Sequence, residues 1–283
     1  MKKSPFLTFL YTNVLCMPAR YILRQRWSNQ LIGCYLDTPH SARHITWFIK
    51  KYGIDMRESQ HSNIKTYKTF NDFFIRKLKK SARSVDHEPH TLVSPADGYL
   101  MIKEQLKAGD TFLVKDRAFD LLHLLRDKQL ADHYYGGTIM VIYLAPSDYH
   151  RFHAPCDALA SKVVHIPGYY DSVNPQVYEV PVQPLVENER QLVLLKTKEF
   201  KQIMFIAVGA MAVGRIVMTY KAHRWMNKGD ELGYFCFGAS TIIMLFEPNT
   251  LRITGKTTHA VHRAQHVRMG QAMGVSTLNV LKE

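Results

Sequence analysis

The sequence predicts an α+β fold, in which a β-rich domain of mainly antiparallel strands follows a helical amino-terminal region. Apolar residues recur at helical spacing through much of residues 1–80. From about residue 91 the chain changes to short, β-branched segments that are punctuated by Gly, Pro or Asn. Helical segments do not alternate with these strands, which disfavours a doubly wound parallel sheet.

Composition narrows the class of protein. The chain has 283 residues, of which 46% are apolar, so it is long enough to bury a sizeable core. Its formal net charge of +13 favours anionic partners, either a membrane surface or nucleic acid. The four cysteines are scattered without a C-x-x-C pair, which argues against a cysteine zinc site and against a disulfide framework.

The amino terminus combines an apolar stretch, Phe6–Met17, with basic residues. Four apolar residues of this stretch lie near one face of a helix, namely Phe6, Leu10, Val14 and Met17. Three arginines follow, namely Arg20, Arg24 and Arg26. The stretch is shorter than the roughly 20 apolar residues that span a bilayer. The pattern suits a helix lying in the headgroup region, and equally a helix packed on the protein's own core.

Two further helices are predicted before residue 80. In SARHITWFIKKYG, Ser41 is the expected N-cap and Gly53 the expected stop. In TFNDFFIRKLKK, four apolar residues have helical spacing, namely Phe70, Phe73, Phe74 and Leu78. The predicted strands after residue 91 are GTIMVIYLA, LASKVVHI, RQLVLLKT, QIMFIAVGAMAVGRIVMTY and STIIMLF.

The segment YFCFGASTIIMLF, residues 234–246, carries an unusual break. An apolar strand would continue through it if Gly238–Thr241 did not interrupt. Glycine in a strand often marks a bend or a close backbone approach. The break is therefore either a bulge or hairpin between two core strands, or a place where Ser240 is held for chemistry.

Two other motifs carry residues that are suited to catalysis. Asp97 lies in SPADGYL, where an Asp-Gly turn is one explanation. His150 and His153 are three residues apart in APSDYHRFHAP; they suit either proton transfer or metal ligation, although no third ligand stands at a telling distance. Asp97, a histidine and Ser240 can form a triad if the fold unites them. The chain has no Walker loop, no H-E-x-x-H and no G-x-S-x-G motif.

Eight segments occur in an order and spacing that closely resemble the phosphatidylserine decarboxylase family. They are FNDFFIRKLKKSARSVD, SPADG, DYHRFHAP, PGYYDSVNP, NER, VGAMAVGRI, KGDELGYFCFGAST and VRMGQAMG. The resemblance covers most of residues 66–274. One position departs from the family pattern, which commonly has glycine directly before the reactive serine. Here Ala239 precedes Ser240, and Gly238 lies one residue earlier.

The resemblance implies a proenzyme that cuts itself between Ala239 and Ser240. The products would be a β chain, residues 1–239, and an α chain, residues 240–283. Ser240 would be the nucleophile, and it would remain as a covalent pyruvoyl group, the cofactor of the enzyme. No metal is implied.

Each polar residue of the motifs then receives a role. His153 would take the Ser240 proton, and Asp97 would orient and stabilise the His153 imidazolium. In the second reaction, the pyruvoyl group would form a Schiff base with the amine of phosphatidylserine and accept electrons as CO₂ departs. His150 would be the general acid that returns a proton to the α-carbon, and phosphatidylethanolamine would be the product.

The same resemblance sets expectations for organisation and location. We expect residues 1–65 to form a helical membrane-associating region and residues 66–283 to form the catalytic domain. The expected partners are phosphatidylserine in an anionic membrane and the two chains of one proenzyme, with no nucleic acid. A homodimer is one of the oligomeric states that the sequence leaves open. We expect a peripheral protein on the cytoplasmic side of the cell membrane.

Two alternatives from other classes remain. A serine hydrolase would use Asp97, His153 and Ser240 without self-cleavage and would stay as one chain. A basic membrane-binding protein without activity would explain the net charge, but it leaves the ordered motifs unexplained.

Overall fold

The computed structural model describes residues 4–110, 120–180, 182–211, 215–238, 240–261 and 263–278. These residues form an α+β fold, which confirms the predicted class. The helices are α1 (Pro5–Thr12), α2 (Met17–Leu23), α3 (Arg26–Leu36), α4 (Ile45–Tyr52), α5 (Phe70–Phe74), α6 (Leu121–Leu125), α7 (Lys128–Tyr134) and α8 (Pro184–Glu187). The strands are β1 (Thr91–Val93), β2 (Gly98–Lys103), β3 (Thr138–Leu144), β4 (Arg151–His153), β5 (Ala158–Ala160), β6 (Val164–Ile166), β7 (Arg190–Lys196), β8 (Gln202–Val208), β9 (Ile216–Met218), β10 (Trp225–Met226), β11 (Glu231–Phe235), β12 (Ser240–Phe246), β13 (Leu251–Ile253), β14 (Gln265–Val267) and β15 (Ala272–Ser276).

These strands form three sheets, and every pairing between them is antiparallel, as predicted. The largest sheet has nine strands in the order β10–β5–β7–β8–β12–β3–β2–β14, with β6 paired to β7 off this path. The two smaller sheets are ordered β1–β15–β13 and β4–β11–β9. The two histidines of the DYHRFH motif therefore lie at and just before β4, in a different sheet from Ser240.

The main core lies around the central strands of the large sheet. Every residue of β3 and of β12 is buried. Strands that are covered on both faces are expected to be apolar along their whole length, and their sequences TIMVIYL and STIIMLF fit this rule apart from the polar residues at their first positions. Because β3 and β12 lie in the centre of the sheet, their sequences are the apolar runs from which the strands were predicted.

A second, smaller core joins the helical region to the catalytic part of the chain. Its buried members are Leu36, Ile45, Phe48, Tyr67, Phe70, Phe73 and Phe74. The partly buried Phe237, close before Ser240 in the chain, packs against them. This core lies on both sides of the predicted boundary between residues 65 and 66, and that boundary stays a prediction.

The predicted limits of α4 are correct at one end only. The helix ends at Tyr52, and Gly53 follows it with a φ of 64°, which glycine adopts readily. Ser41 is not its N-cap, because Ser41 lies in a 3₁₀ turn that Pro39 begins. The Ser41 hydroxyl is buried and donates to the carbonyl of Leu36 at 2.9 Å.

The helix predicted from TFNDFFIRKLKK is shorter than its apolar spacing suggested. A capping box between Thr69 and Asp72 starts α5, but the helix ends at Phe74. Leu78 lies beyond it and forms an isolated antiparallel bridge with Ser59. The extended pairing at Leu78 therefore replaces the last predicted turn.

The strand break before Ser240 is placed differently from the prediction. Ser240 and Thr241 belong to β12, and β11 ends at Phe235. Because β11 and β12 lie in different sheets, the chain crosses from the small sheet to the large one between them. The predicted cut position Ala239 lies outside the described residues.

The predicted apolar stripe of the amino terminus is wrong for Leu10. A sharp bend of 89° separates α1 from the following segment Val14–Leu23. Leu10 is 5% exposed and faces the core, whereas Val14 is 74% exposed. No single helix of the described residues is long and apolar enough to cross a membrane, and the bent pair Pro5–Thr12 with Val14–Leu23 passes that test only when it is taken together.

Arg24, one of the three arginines expected beside the lipid headgroups, is paired with acidic residues of the protein itself. Its guanidinium lies 3.0 Å from the carboxylate of Asp171 and 3.3 Å from that of Glu187. It also covers the ring of Tyr169 at 3.8 Å. The Tyr11 hydroxyl donates to Asp171 Oδ1 at 3.1 Å and accepts from the Ser172 amide at 2.8 Å. These contacts bind α1 and α2 to the loop that carries the motif PGYYDSVNP.

We predict that Tyr11→Phe destabilises the protein by about 1–3 kcal/mol, because it leaves buried hydrogen-bonding groups of Asp171 and Ser172 without that partner. Urea unfolding measures the change. Tyr21→Phe is the matched control, since Tyr21 is 65% exposed and should stay within about 0.5 kcal/mol of wild type. Equal stability of the two variants would contradict the anchoring role of Tyr11.

Candidate active site

Ser240 is the first residue of β12 and is completely buried. It pairs with Leu144 of β3 in the antiparallel register of the large sheet. After Leu144 the chain leaves the sheet and returns six residues later with His150. The Ser240 Oγ and the His150 Nδ1 are 3.3 Å apart.

The hydrogen bonds around His150 determine which of its two ring nitrogens carries the proton and which accepts from Ser240. His150 Nε2 lies 3.0 Å from the carbonyl oxygen of Ala145, which can only accept, so Nε2 carries the proton. Nδ1 is then free to accept from the Ser240 hydroxyl. The Phe74 ring stacks on the imidazole with 4.1 Å between ring centroids. Burial, together with the charge of Arg76, lowers the pKa of His150 to about 3, so the ring is neutral at pH 7.

The segment just before Ser240 is held by α5. The Phe237 amide donates to Asn71 Oδ1 at 3.0 Å, and the Phe237 ring contacts Phe70 and Phe74 at 5.0 and 5.1 Å between centroids. Gly238 follows with a φ of 138°, which few residues other than glycine adopt. The packing of α5 thus fixes the approach of the chain to Ser240.

His153, at the end of β4, has hydrogen bonds on both ring nitrogens. Nδ1 donates to the Gly229 carbonyl at 2.8 Å, and Nε2 accepts from the Tyr149 hydroxyl at 3.2 Å. Burial lowers the pKa of His153, while the charge of Asp97 acts in the opposite direction. His153 is thus close enough to Asp97 to respond to its charge.

Asp97 is paired with an arginine in the turn between β1 and β2. Arg83 Nε donates to its two oxygens at 2.9 and 3.1 Å, and Arg83 Nη2 makes a further short contact. The Met269 amide donates to Asp97 Oδ1 at 2.8 Å. The same turn accepts a backbone hydrogen bond from His153 to the Pro95 carbonyl at 2.8 Å.

The structure therefore joins Ser240 to His150 and brings Asp97 near His153 without a hydrogen bond between their side chains. The predicted chain of hydrogen bonds from Asp97 through His153 to Ser240 is not formed. The Tyr149 hydroxyl occupies the His153 nitrogen that such a relay needs, and Arg83 occupies the Asp97 carboxylate. The roles of these residues stay predictions.

Three residues of this region escaped the sequence reasoning, namely Arg76, Arg83 and Asn71. Arg83 lies 14 residues before Asp97, and no local period links the two positions. All three lie within the quoted segment FNDFFIRKLKKSARSVD, so that segment was the available signal. Within the described ranges, no group of three or more His, Cys, Asp or Glu side chains is arranged to hold a metal ion.

A cavity of about 510 Å³ lies beside the segment that leads to Ser240, within the size range of ligand sites. Arg26 and Asp37 line it from α3 and the residue after it, and Arg215 and Cys236 line it from the catalytic part. Arg215 pairs with Asp37 at 2.7 Å. The cavity thus lies between the helical region and the segment that leads to Ser240.

Comparison with known proteins adds to this geometry. The sequence pattern of the family described as phosphatidylserine decarboxylase matches residues 70–275. The chain belongs to the phosphatidylserine decarboxylase family. The match includes Asp97, His150, His153 and Ser240, and it confirms the resemblance that the eight segments indicated.

Relatives in this family are similar over most of their length. The chain is 40% identical to a protein of Fusobacterium nucleatum over 248 residues, which cover 87% of this chain and 82% of the relative. It is 36% identical to a protein of Clostridium novyi, with 89% and 86% covered, and 35% identical to one of Chlamydia muridarum, with 90% and 85% covered. All three relatives are named phosphatidylserine decarboxylase proenzyme.

The burial of neutral His150 predicts a pH-dependent stability. An unfolded histidine binds a proton near pH 6.5, whereas folded His150 does so only near pH 3. The contribution of neutral His150 to the free energy of unfolding is complete above about pH 6.5. It is lost as the pH falls towards 3, by up to about 1.4 kcal/mol per pH unit. We expect His150→Asn to remove this slope in urea unfolding between pH 7.5 and 5.5.

The comparison uses chains that also carry Ser240→Ala, so that each stays uncut. His40→Asn is the control, because His40 is exposed and should leave the slope unchanged. A His150→Asn chain with the slope of its parent would show that His150 is not held neutral.

Proposed function

We propose that this chain is a proenzyme that cuts itself between Ala239 and Ser240 and then decarboxylates phosphatidylserine to phosphatidylethanolamine and CO₂. The observation that carries the proposal is the contact between the buried Ser240 hydroxyl and the neutral His150 at the start of β12. The proenzyme names of the relatives agree with it. Ser240 lies directly after the expected cut, where its hydroxyl can act as the nucleophile of self-cleavage, and His150 beside it can serve the reaction that follows at residue 240.

In the first reaction Ser240 Oγ attacks the Ala239 carbonyl. The peptide C–N bond breaks as the C–O bond forms, and His153 passes the hydroxyl proton to the released amine. Loss of the Ser240 α-proton then expels the Ala239 carboxylate, and water hydrolyses the remaining imine to the ketone with release of ammonia. The field of Asp97 supports His153 in this role because it favours the protonated ring. For the transfer, His153 Nε2 must exchange its Tyr149 hydrogen bond for Ser240.

In the second reaction the covalent pyruvoyl group at residue 240 supplies an electron sink. Ser240 fits this cofactor because its side chain is enclosed at the strand start and lies against His150. His150 faces residue 240, so it is positioned to return a proton to the α-carbon of a substrate held there. For that step the proton of His150 must be on Nδ1, the nitrogen directed at residue 240.

The burial of Ser240 argues against a serine hydrolase that acts without self-cleavage. Ser240 is 0% exposed, so an external substrate cannot reach its hydroxyl in the uncut chain. The peptide bond directly before Ser240 is part of the chain, so it does not have to enter from the solvent. Self-cleavage is the reaction that this enclosed nucleophile can perform.

The amino-terminal helices support attachment to a membrane surface. Exposed apolar side chains are concentrated on α1 to α3 and the turn between α1 and α2, namely Phe6, Phe9, Val14, Leu15, Met17, Tyr21, Ile22, Trp27 and Leu31. Such a patch on a basic protein suits a phospholipid surface. We propose a peripheral protein on the cytoplasmic face, with Arg20 and Arg26 near lipid phosphates. The cavity beside α3 would give the headgroup a route towards Ser240.

We predict that the purified protein consists of chains of 239 and 44 residues, the shorter one with a blocked amino terminus. Ser240→Ala should stay uncut because no hydroxyl remains to attack. His153→Ala should also stay uncut, since the proton acceptor is gone. His150→Ala should mature but lose about 10²–10⁴-fold in decarboxylation, the usual effect of removing a general acid.

Intact mass and CO₂ release are measured on the same preparations. A single unmodified chain in active wild-type protein would disprove the mechanism. If His153→Ala matures normally, its assigned role is wrong. If His150→Ala stays uncut, the two histidines do not divide the reactions as proposed, and the Ser240–His150 contact serves cleavage.

We predict that Trp27→Asp weakens binding to phosphatidylserine vesicles by about tenfold in a sedimentation assay, because an apolar contact with the lipid is replaced by a charge that anionic lipid repels. Trp225→Asp is the matched control, since Trp225 is similarly exposed (49% against 55%) and lies on β10. Point substitution is preferable to deletion of the helices because Tyr11 and Arg24 hold Asp171. Equal vesicle binding by both variants would assign docking to another surface.

A further inference from the structure

Arg76 is a buried arginine without an acidic partner among the described residues. It follows α5 and is only 5% exposed. Its Nη2 donates to the Ser147 carbonyl at 3.5 Å, and its guanidinium lies 5.1 Å from the centroid of the Phe73 ring. Its Nε and Nη1 are buried and have no hydrogen-bond partner in the described part of the chain.

Two other arginines with enclosed side chains in the described ranges have partners for their donors, which distinguishes them from Arg76. Arg190 is completely buried and donates to the carbonyls of Leu124, Asn188 and His123 at 2.7–2.8 Å. Arg83 pairs with Asp97 and Glu58. A buried cation with unused donors is costly to folding. The presence of such a cation at Arg76 needs an explanation. One explanation is that its unused donors bind an anionic ligand.

Arg76 lines a cavity of about 150 Å³ next to the reactive centre. Asp97, Ser147 and Tyr149 line the same cavity. Two other cationic or titratable groups of its wall have acidic partners, since Arg268 lies 3.6 Å from Glu58 and His266 lies 3.4 Å from Asp148. Residues 147–149 lead directly to His150, which contacts Ser240.

We propose that Arg76 binds an oxyanion of the substrate headgroup, an inference that rests on the proposed function. Phosphatidylserine carries two such groups, a carboxylate and a phosphate. The planar guanidinium donates to either with charge-assisted hydrogen bonds. The Arg76 charge also acts on His150, which places the cation beside the residue expected to serve the bound substrate.

Self-cleavage would make room for this ligand. In the uncut chain Phe237 packs on Phe70 and Phe74 of α5, and Phe74 lies two residues before Arg76. A cut after Ala239 turns the segment that carries Phe237 into a chain end. That end can move away from α5, and the substrate can then approach the Arg76 donors.

Stability and substrate use should respond to Arg76→Met in opposite ways. In chains kept uncut by Ser240→Ala, Arg76→Met should unfold at the same or a higher urea concentration, because an unpaired buried charge is replaced by an apolar side chain. Arg190→Met is the matched control and should unfold at a lower concentration, because it leaves three carbonyls without their donor.

In processed enzyme, Arg76→Met should lower kcat/KM for phosphatidylserine in detergent micelles at least tenfold, the effect of losing a charge-assisted hydrogen bond. Inhibition by phosphatidylethanolamine identifies the oxyanion, since this lipid keeps the phosphate and lacks the carboxylate. Weaker inhibition of the variant assigns Arg76 to the phosphate. Unchanged inhibition assigns it to the carboxylate. Arg190→Met should keep the wild-type KM.

Arg76→Lys keeps the charge without the planar fork and should lose activity to an intermediate extent. It supplies the kinetic measurement if Arg76→Met fails to mature. A KM within twofold of wild type in both Arg76 variants would overturn the inference, whatever their stability. Wild-type protein that neither matures nor releases CO₂ would instead refute the proposed function, so the two failures are distinguishable.

Discussion

The antiparallel pairing of β12 with β3 is the constraint on which the site depends. Its register sets Ser240, the first residue of β12, opposite Leu144, the last residue of β3. The loop after β3 therefore has to return beside Ser240, and it delivers His150 there. Because both strands are buried on both faces, a slip of one residue would turn every side chain of β12 to the opposite face of the packed core and move Ser240 out of register. The hydrophobic core thus fixes the position of Ser240.

The buried carboxylates near the candidate site have partners within the fold. Asp97 is paired with Arg83, and Asp171 with Arg24 and Tyr11, so these buried carboxylates are compensated within the fold. The ion pair with Arg83 also limits how Asp97 can act on His153. Asp97 influences His153 through the electric field of its charge and not through a hydrogen bond. Arg76 stands apart because its nearest described partners are a carbonyl and an aromatic ring.

The helical region is connected to the catalytic part by polar contacts as well as by apolar packing. Ser4 and Gln176 exchange two hydrogen bonds, at 2.7 and 3.0 Å. Asn174, close to Gln176 in the same loop, donates to the hydroxyl of Tyr143 in β3 at 3.3 Å. The start of α1 and the strand beside Ser240 are therefore joined through the loop that carries Asn174 and Gln176.

The sequence by itself determined the fold class, the central strands and the residues of the motifs. Apolar runs such as TIMVIYL and STIIMLF have few alternatives to burial in a sheet, and the order of the eight segments identified the family. The structure alone decided which of His150 and His153 meets Ser240, because two positions three residues apart in the chain diverge once β4 begins between them. It also decided the partners of Asp97 and Arg24, since these ion pairs join positions that no sequence period relates. The local sequence pattern indicates which residues are buried. Contacts between distant segments depend instead on strand register and on where the chain passes from one sheet to another.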